Sequence, residues 1–506
     1  MVSYIKSACI NGLDGRIIET QTDINNGLPN FELAGLCGQV ANESRERVRS
    51  AIRNSGFIFP MKRITVNLSP ADMHKEGSGF DLAIALGILA ASNEINIVNE
   101  KINKFIFLGE LSLDGRINPV KGVLAVMIEA VRNNFEGIVI PAGNIKEAAI
   151  IEKIRIIAVN DLNSAADFAE DTSMPDFDIN TGNIDIFKSY TVKEDFSDIK
   201  GQKSAKRALE IAAAGNHNCI MMGSPGSGKS MLAKRMPGIL PEMTAEESLE
   251  TNVIYSVTGM INEREKFINK RPFRSPHHNI SAAGFIGGGS YPKPGEISLA
   301  HNGVLFLDEI CEFAPYMIDM LREPIETGYI NISRRNGMTV FPANFMLIAA
   351  ANPCKCGLLY EKKCKCTPAE LAKYNNKLSG AIMDRMDIKI EVSSSGIKVF
   401  NSDAREESSE DIKQRITKAR NIQTERFKND GIYSNSQMDN ALIKKYVTIN
   451  NKIIYLLEKY ERSKSLSLRG CVSIFKMART IADMEESIYV TEQNIMEALQ
   501  LAIVQA

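Results

Sequence analysis

Gly223-Ser-Pro-Gly-Ser-Gly-Lys-Ser230 has the residue types and the spacing of a phosphate-binding loop. Gly223, Ser224, Pro225, Gly226, Ser227 and Gly228 form the loop proper, in which glycines let backbone N–H groups curl around phosphate oxygens at a helix N-terminus. Lys229 would reach the β/γ-phosphates, and the Ser230 hydroxyl would hold Mg²⁺. The apolar run 218–222 reads as a strand leading in, and Met231 opens the helical run 231–235 leading out. ATP and Mg²⁺ are the expected cofactors.

Gly303-Val-Leu-Phe-Leu-Asp-Glu-Ile310 reads as a buried strand ending in two acids, to be delivered beside that loop. Asp308 would complete the Mg²⁺ shell, while Glu309 would orient and deprotonate the attacking water. The pair signals hydrolysis, where a lone Asp308 would have left open a switch without efficient turnover. The apolar run 345–351 ends at Asn352, whose amide could bond the lytic water or the γ-phosphate. In Met383-Asp-Arg-Met-Asp387, Arg385 reads as an arginine finger for the next subunit's nucleotide, a contact worth about 10³–10⁵ in rate. A finger acting in trans requires a ring.

Cys354, Cys356, Cys364 and Cys366 follow Asn352 as C-K-C-G-x6-C-K-C. Four thiolates so close suit a tetrahedral Zn²⁺ with Zn–S of about 2.3 Å, the alternative being reduced, unligated thiols. The other five cysteines are scattered, and the opening Met-Val-Ser-Tyr-Ile-Lys lacks the pattern of a signal peptide. A disulfide framework is therefore not expected, and the cytoplasm is the expected compartment.

These residues must be positioned by more than one domain, since 506 residues at about 150 per domain anticipate roughly three. Residues 1–172 mix β-rich runs at 64–68 and 105–108 with helical patterns at 42–54 and 80–91, an α+β domain. Residues 173–195 lose that period and gain Asp, Pro, Asn and Gly, as a linker does. Strands and helices then alternate over 196–395, the α/β pattern of a parallel sheet covered by helices. A polar stretch at 396–410 leads to amphipathic helices over 411–506. The longest nearly apolar run, 82–91, is too short to cross a bilayer, so no membrane role is expected. A formal charge of −1 demands no polyanionic partner, although 411–480 carry fifteen basic and six acidic side chains. That basic block suits a nucleic-acid surface and a merely solvated helical face equally well.

Together with Arg271-Pro-Phe-Arg-Ser-Pro-His-His278 and Pro294-Gly-Glu-Ile-Ser-Leu-Ala-His-Asn-Gly303, these motifs resemble the ComM/YifB family of magnesium-chelatase-like AAA+ ATPases. The likeness runs nearly the full length, through Gly201-Gln202, Ala350-Ala-Asn-Pro-Cys354 and Ala478-Arg-Thr-Ile-Ala-Asp483. It implies an AAA+ core with a helical lid, preceded by a Lon-protease-like domain of the ribosomal S5-like type. It further implies a homo-oligomeric, hexameric ring that couples ATP hydrolysis to movement along single-stranded or branched DNA, with branch migration in recombination or natural transformation as its work. The rival is a magnesium-chelatase-like ATPase that remodels a protein partner.

By the same resemblance Gly201 and Gln202 contact nucleotide, and Arg469 in Ser467-Leu-Arg-Gly470 is the sensor-2 arginine that reaches the γ-phosphate from the lid. Ser473 stands where that motif is expected to carry a second arginine. Two insertions would face the ring pore, one near 251–300, which holds His277 and His278, and one a hairpin over 329–340. Alternating runs flank Arg334-Arg-Asn-Gly337, a hairpin turn signal, and Arg334 and Arg335 at its tip are placed to grip DNA phosphates. Alignment with Lon puts Gly79 and Leu124 at the nucleophile and base positions, so the Ser-Lys dyad is lost. A shifted Ser78–Lys121 pair is the remaining route to peptide cleavage.

Overall fold

The computed structural model describes residues 2–503 apart from 74, 173–176, 180–193, 262–266, 290, 335–336, 361–362, 379, 394–405, 449–450 and 465. The chain forms two compact units, Met1–Lys188 with Ser248–Ile268, and Ser189–Glu247 with Asn269–Ala506. The first part of the insertion expected near 251–300 therefore belongs to the first unit, carried there by the helix Ala245–Thr258.

In the first unit a four-stranded sheet runs in the order Val2–Asn11, Asp14–Asn25, Arg63–Ser69, Asn30–Ala34. Its first three strands are antiparallel and the last pair is parallel. Asp14–Asn25 buries alternate residues, as a sheet with one covered face requires. The cover is Asp81–Ser92, a helix buried almost all round. Its Gly87 sits so close to the sheet that an added Cβ would lie 2.6 Å from Thr22 Oγ1. A second sheet, Phe177–Ile179, Arg155–Val159, Gly137–Pro141 and Phe105–Phe107, extends into the segment expected to be a linker.

The second unit is built on a parallel sheet in the order Phe273–Arg274, Val304–Leu307, Met346–Ala351, Cys219–Met222, Ile388–Glu391. Val304–Leu307 and Met346–Ala351 are buried throughout, matching their uninterrupted apolar runs, because helices cover both faces. Gly303 enters the sheet where an added Cβ would lie 2.1 Å from the Pro272 carbonyl oxygen. Val304 N–H donates to that same oxygen at 2.7 Å, which fixes the edge strand Phe273–Arg274.

The helix Leu468–Met484 turns Ile474, Met477, Ala478, Ile481 and Ala482 inward, the 3-4-3-4 spacing of one buried stripe. This stripe joins the core that also holds Ala205, Ala208 and Ala212 of the helix Lys203–Gly215. The helix Ser409–Arg426 closes the end of Lys203–Gly215, with Arg420 and Gln423 donating to the Ala213 and Ala214 carbonyls at 2.8 and 3.0 Å. Terminal carbonyls of a helix otherwise lack partners.

Replacing Gly303 by alanine is expected to lower stability by about 1–3 kcal/mol, because the methyl meets rigid backbone. Gly380→Ala, with nothing within 4 Å of the added methyl, should change stability by less than about 0.5 kcal/mol. Thermal melts of the two variants check both outcomes.

Candidate active site

The strand Cys219–Met222 lies between Met346–Ala351 and Ile388–Glu391 and delivers the phosphate loop to the edge formed by the strand C-termini. Gly226 and Gly228 have φ of +78° and +94°, and nothing lies within 4 Å of a Cβ added to either. Both take the left-handed backbone that a loop curling around a phosphate requires of glycine. Lys229 is buried and donates to the Gly223 and Ser224 carbonyls at 2.7 and 3.0 Å and to Asn352 Oδ1 at 3.3 Å. Burial pushes its ammonium below the usual lysine range, against the pull of Asp308 and Glu309. A bound phosphate would offer this cation a stronger acceptor than the carbonyls do.

Ser230 Oγ donates to Asp308 Oδ2 at 2.7 Å. The hydroxyl and carboxylate that would share Mg²⁺ are therefore adjacent, although Met346–Ala351 separates their two strands in the sheet. Glu309 takes up left-handed backbone (φ 50°, ψ 49°), a conformation that costs a non-glycine residue about 1 kcal/mol or more, and its side chain is exposed. Gln202 Nε2 donates to the Ser227 carbonyl at 3.3 Å and to the Ser393 carbonyl at 2.5 Å, which attaches it to the loop. Gly201 N–H donates to Glu406 at 2.7 Å, and Met231 is half exposed at the loop's exit.

Arg385 and Arg469 are brought together elsewhere. Arg385 Nη2 donates to Glu326 Oε1 at 2.7 Å, and Arg469 Nη2 donates to the same oxygen. Arg469, expected to reach the γ-phosphate from the lid, thus shares a carboxylate with Arg385. Beneath them a buried polar cluster fixes the segment. Asp387 accepts from Ser473 Oγ at 2.5 Å and faces His217 Nδ1 at 3.3 Å, and His217 Nε2 meets Thr480 Oγ1 at 2.8 Å. Burial works against the Asp387 charge, yet His217 and Ser473 hold its carboxyl below the usual range. Ser473 thereby has a partner of its own at the position where a second arginine was expected.

Cys354, Cys356, Cys364 and Cys366 converge, with all four sulfurs within 4.8 Å of one another. Cys354 Sγ lies 3.3 Å from Cys356 Sγ and 3.6 Å from Cys364 Sγ. A tetrahedral Zn²⁺ with bonds of about 2.3 Å sets its sulfurs about 3.8 Å apart, so this donor set fits zinc. Backbone N–H groups of Leu358 and Lys365 pull the Cys356 thiol down to about 6, while the crowded neighbouring sulfurs push Cys364 and Cys366 up. The same loop rests on the phosphate loop: a Cβ on Gly357 would lie 2.5 Å from Pro225 Cδ.

Three family profiles match in succession: "Subunit ChlI of Mg-chelatase" over 20–144, "Magnesium chelatase, subunit ChlI" over 195–399, and "Magnesium chelatase, subunit ChlI C-terminal" over 406–502. Competence protein ComM of Haemophilus influenzae is 39% identical over 505 residues, 98% of this chain and 97% of that protein. The protein YifB of Escherichia coli is 37% identical over 499 residues, 98% and 96% of the two chains. The chain belongs to the ComM/YifB family of magnesium-chelatase-like AAA+ ATPases. A more distant relative, magnesium-chelatase subunit ChlI of Mesostigma viride, is 22% identical over 63% of this chain and 90% of its own length.

This ComM/YifB chain carries the expected hairpin as Tyr329–Arg334 paired with Gly337–Pro342, closing at Arg334 opposite Gly337. Arg334 is exposed, and Arg335 lies outside the described residues. Arg271 and Arg274 of the family's Arg-Pro-Phe-Arg motif are both internal fasteners. Arg271 pairs with Glu247 and three backbone carbonyls, and Arg274 forks onto Glu296 with two 2.7 Å bonds. His277 and His278 stack with ring centroids 4.1 Å apart. In the first unit Ser78 Oγ donates to Glu110, and the Lys121 side chain lies along Gly259, so the shifted dyad is not formed.

Glu326, Gly357 and Glu406 were invisible to sequence reasoning, since Glu326 meets arginines 59 and 143 positions away. Gly357→Ala would drive a methyl toward Pro225 at a φ of +77°. The expected result is ATP binding weakened about tenfold, read by titration with a fluorescent ATP analogue. Affinity equal to the parent's would show that the cysteine loop does not brace the phosphate loop.

Proposed function

We propose that this chain works as a homo-oligomeric, hexameric ring that couples ATP hydrolysis to movement along DNA, most concretely branch migration, as a competence-type ATPase. The observation that carries the reading is the hairpin Tyr329–Pro342, which presents exposed Arg334 and is continuous through 343–345 with the strand Met346–Ala351 that leads to Asn352. A phosphate gripped at the tip and a γ-phosphate sensed at Asn352 would thus lie on one stretch of chain. Lys229 binds the β/γ-phosphates, Ser230 and Asp308 hold Mg²⁺, Glu309 activates the water, and Arg385 with Arg469 acts on a neighbouring subunit's nucleotide. Gln202 and Gly201 line the nucleotide from the side, and Arg335 joins Arg334 in gripping DNA.

We assign residues 1–172 to a Lon-protease-like domain without peptidase chemistry, 196–395 to the AAA+ core and 411–506 to the lid. The 22% likeness to a magnesium-chelatase subunit favours a second reading, in which the ring remodels a protein partner.

Steady-state ATPase rates without DNA and with single strands, duplex or a four-way junction separate the two, with Lys229→Ala as the blank. The motor reading expects stimulation by DNA, junction dissociation, and stimulation cut about fivefold or more in Arg334→Ala. A rate indifferent to DNA would overturn it in favour of the protein-remodelling ring.

For the cysteine cluster we infer one structural Zn²⁺, which would stiffen the loop against Pro225. Elemental analysis is expected to find about one zinc per chain, absent from Cys356→Ser/Cys364→Ser. Metal-free protein with four titratable thiols at these positions would refute the assignment.

A further inference from the structure

Glu326 ends the short helix Arg322–Thr327, and after Gly328 the chain immediately becomes the hairpin strand Tyr329–Arg334. Asn331 Nδ2, on that strand, donates to Glu323 at 2.6 Å, and Ala343 N–H donates to the Gly328 carbonyl at 2.7 Å. The base of the hairpin and the helix bearing Glu326 are thus fastened together. One hydrogen-bonded turn separates the hairpin from the Glu326 carboxylate.

That carboxylate holds both arginines through a single oxygen. The bond from Arg469, with help from Arg385, keeps its carboxyl below the usual glutamate range. Neither contact is the two-bond fork that makes an arginine–carboxylate pair strong. Glu326 and Arg469 are each more than 40% exposed, so solvent and salt weaken the grip further. Arg385 itself is nearly buried, donates from Nη1 to the Ala381 carbonyl at 2.6 Å, and leaves its buried Nε without an acceptor among the described residues. A guanidinium in that condition is held but not satisfied, and a phosphoryl group would satisfy it better.

We propose that Glu326 is a positioning residue that restrains Arg385 and Arg469 together and releases them when the hairpin moves, so that hydrolysis waits on the hairpin's ligand. This rests on the reading above that the two arginines serve a neighbour's nucleotide. It adds the link between the hairpin and those arginines, and it names the acid that makes the link. Removing the charge while keeping the shape should leave both arginines free in the absence of DNA.

The test uses the full-length chain and its Glu326→Gln, Glu326→Asp and Arg385→Ala variants, with ATPase kcat and KM measured with and without DNA. Two single-bond ion pairs, one of them exposed on both sides, are lost in Glu326→Gln, and the expected result is a DNA-free kcat raised about fivefold at unchanged KM. The ratio of stimulated to basal rate should fall toward one, and Glu326→Asp should restore part of it. A Glu326→Gln enzyme with the parent's basal kcat, or a lower one, while Arg385→Ala is inactive, would overturn the restraint and leave the arginine assignment standing. Arg385→Ala at the parent's rate would overturn both. An enzyme indifferent to DNA would end the motor reading, and the basal kcat would still decide the restraint. A thermal melt of Glu326→Gln within about 2 °C of the parent confirms that the comparison is between folded proteins.

Discussion

Asp387 is a largely buried carboxylate of the second unit, held by a histidine ring and a hydroxyl. Such a group is stable only while every partner stays in place, since a buried charge left unpaired costs several kcal/mol. The partners come from different parts of the fold. His217 stands two residues before the phosphate-loop strand Cys219–Met222, and Ser473 and Thr480 lie on the helix that begins just before Arg469. Asp387 itself stands two residues beyond Arg385. One polar cluster therefore ties together three pieces of the candidate site that share no sequence neighbourhood. Apolar packing of Ile474, Met477 and Ile481 supplies area, but area alone would tolerate a slip that this cluster forbids.

Above this anchor the parallel sheet works as a bench. Ser230 on the helix after the phosphate loop, and Asp308 and Asn352 just beyond their strands, gather at one edge, where the loops are held by more than their few backbone bonds. Side-chain bonds do that work: Gln202 on the Ser227 carbonyl, Lys229 on Gly223, Ser224 and Asn352, and the cysteine loop pressed on Pro225. Glycines in left-handed backbone shape the loop, and its lysine donates to the loop's own carbonyls.

What could be read from the sequence was what is local. The phosphate loop, the acid pair, the hairpin over 329–340 and the helices near 42–54 and 80–91 are patterns a few residues long whose physics is complete within the pattern. What could not be read depends on pairings across long separations. No spacing rule joins Glu326 to Arg385 or Arg469, and the partnership of Ser473 with Asp387 looks, from the sequence, only like a missing arginine. The strand Phe177–Ile179 was hidden because a three-residue strand in a polar, period-free stretch shows nothing until Arg155–Val159 offers it an edge. The seat of 248–268 in the first unit was hidden in the same way, by a helix that carries the chain out of one unit and into the other.

That excursion has a practical meaning for anyone dissecting the molecule. Cutting the chain at 188 does not separate the units, because Val253 and Ile254 stay behind on the second fragment, stripped of the cover that includes Leu124 and Ala125. Such a fragment would expose a sticky apolar helix and aggregate for reasons unrelated to its own stability. The excursion nonetheless leaves and returns at nearly the same place, since Arg271 grips Glu247 with two bonds of 2.8 and 2.9 Å. Excising 248–268 and joining the two ends with a few glycines is thus the natural design for an isolated nucleotide-binding unit, and the reciprocal insertion point is where a reporter domain could be spliced into the intact chain.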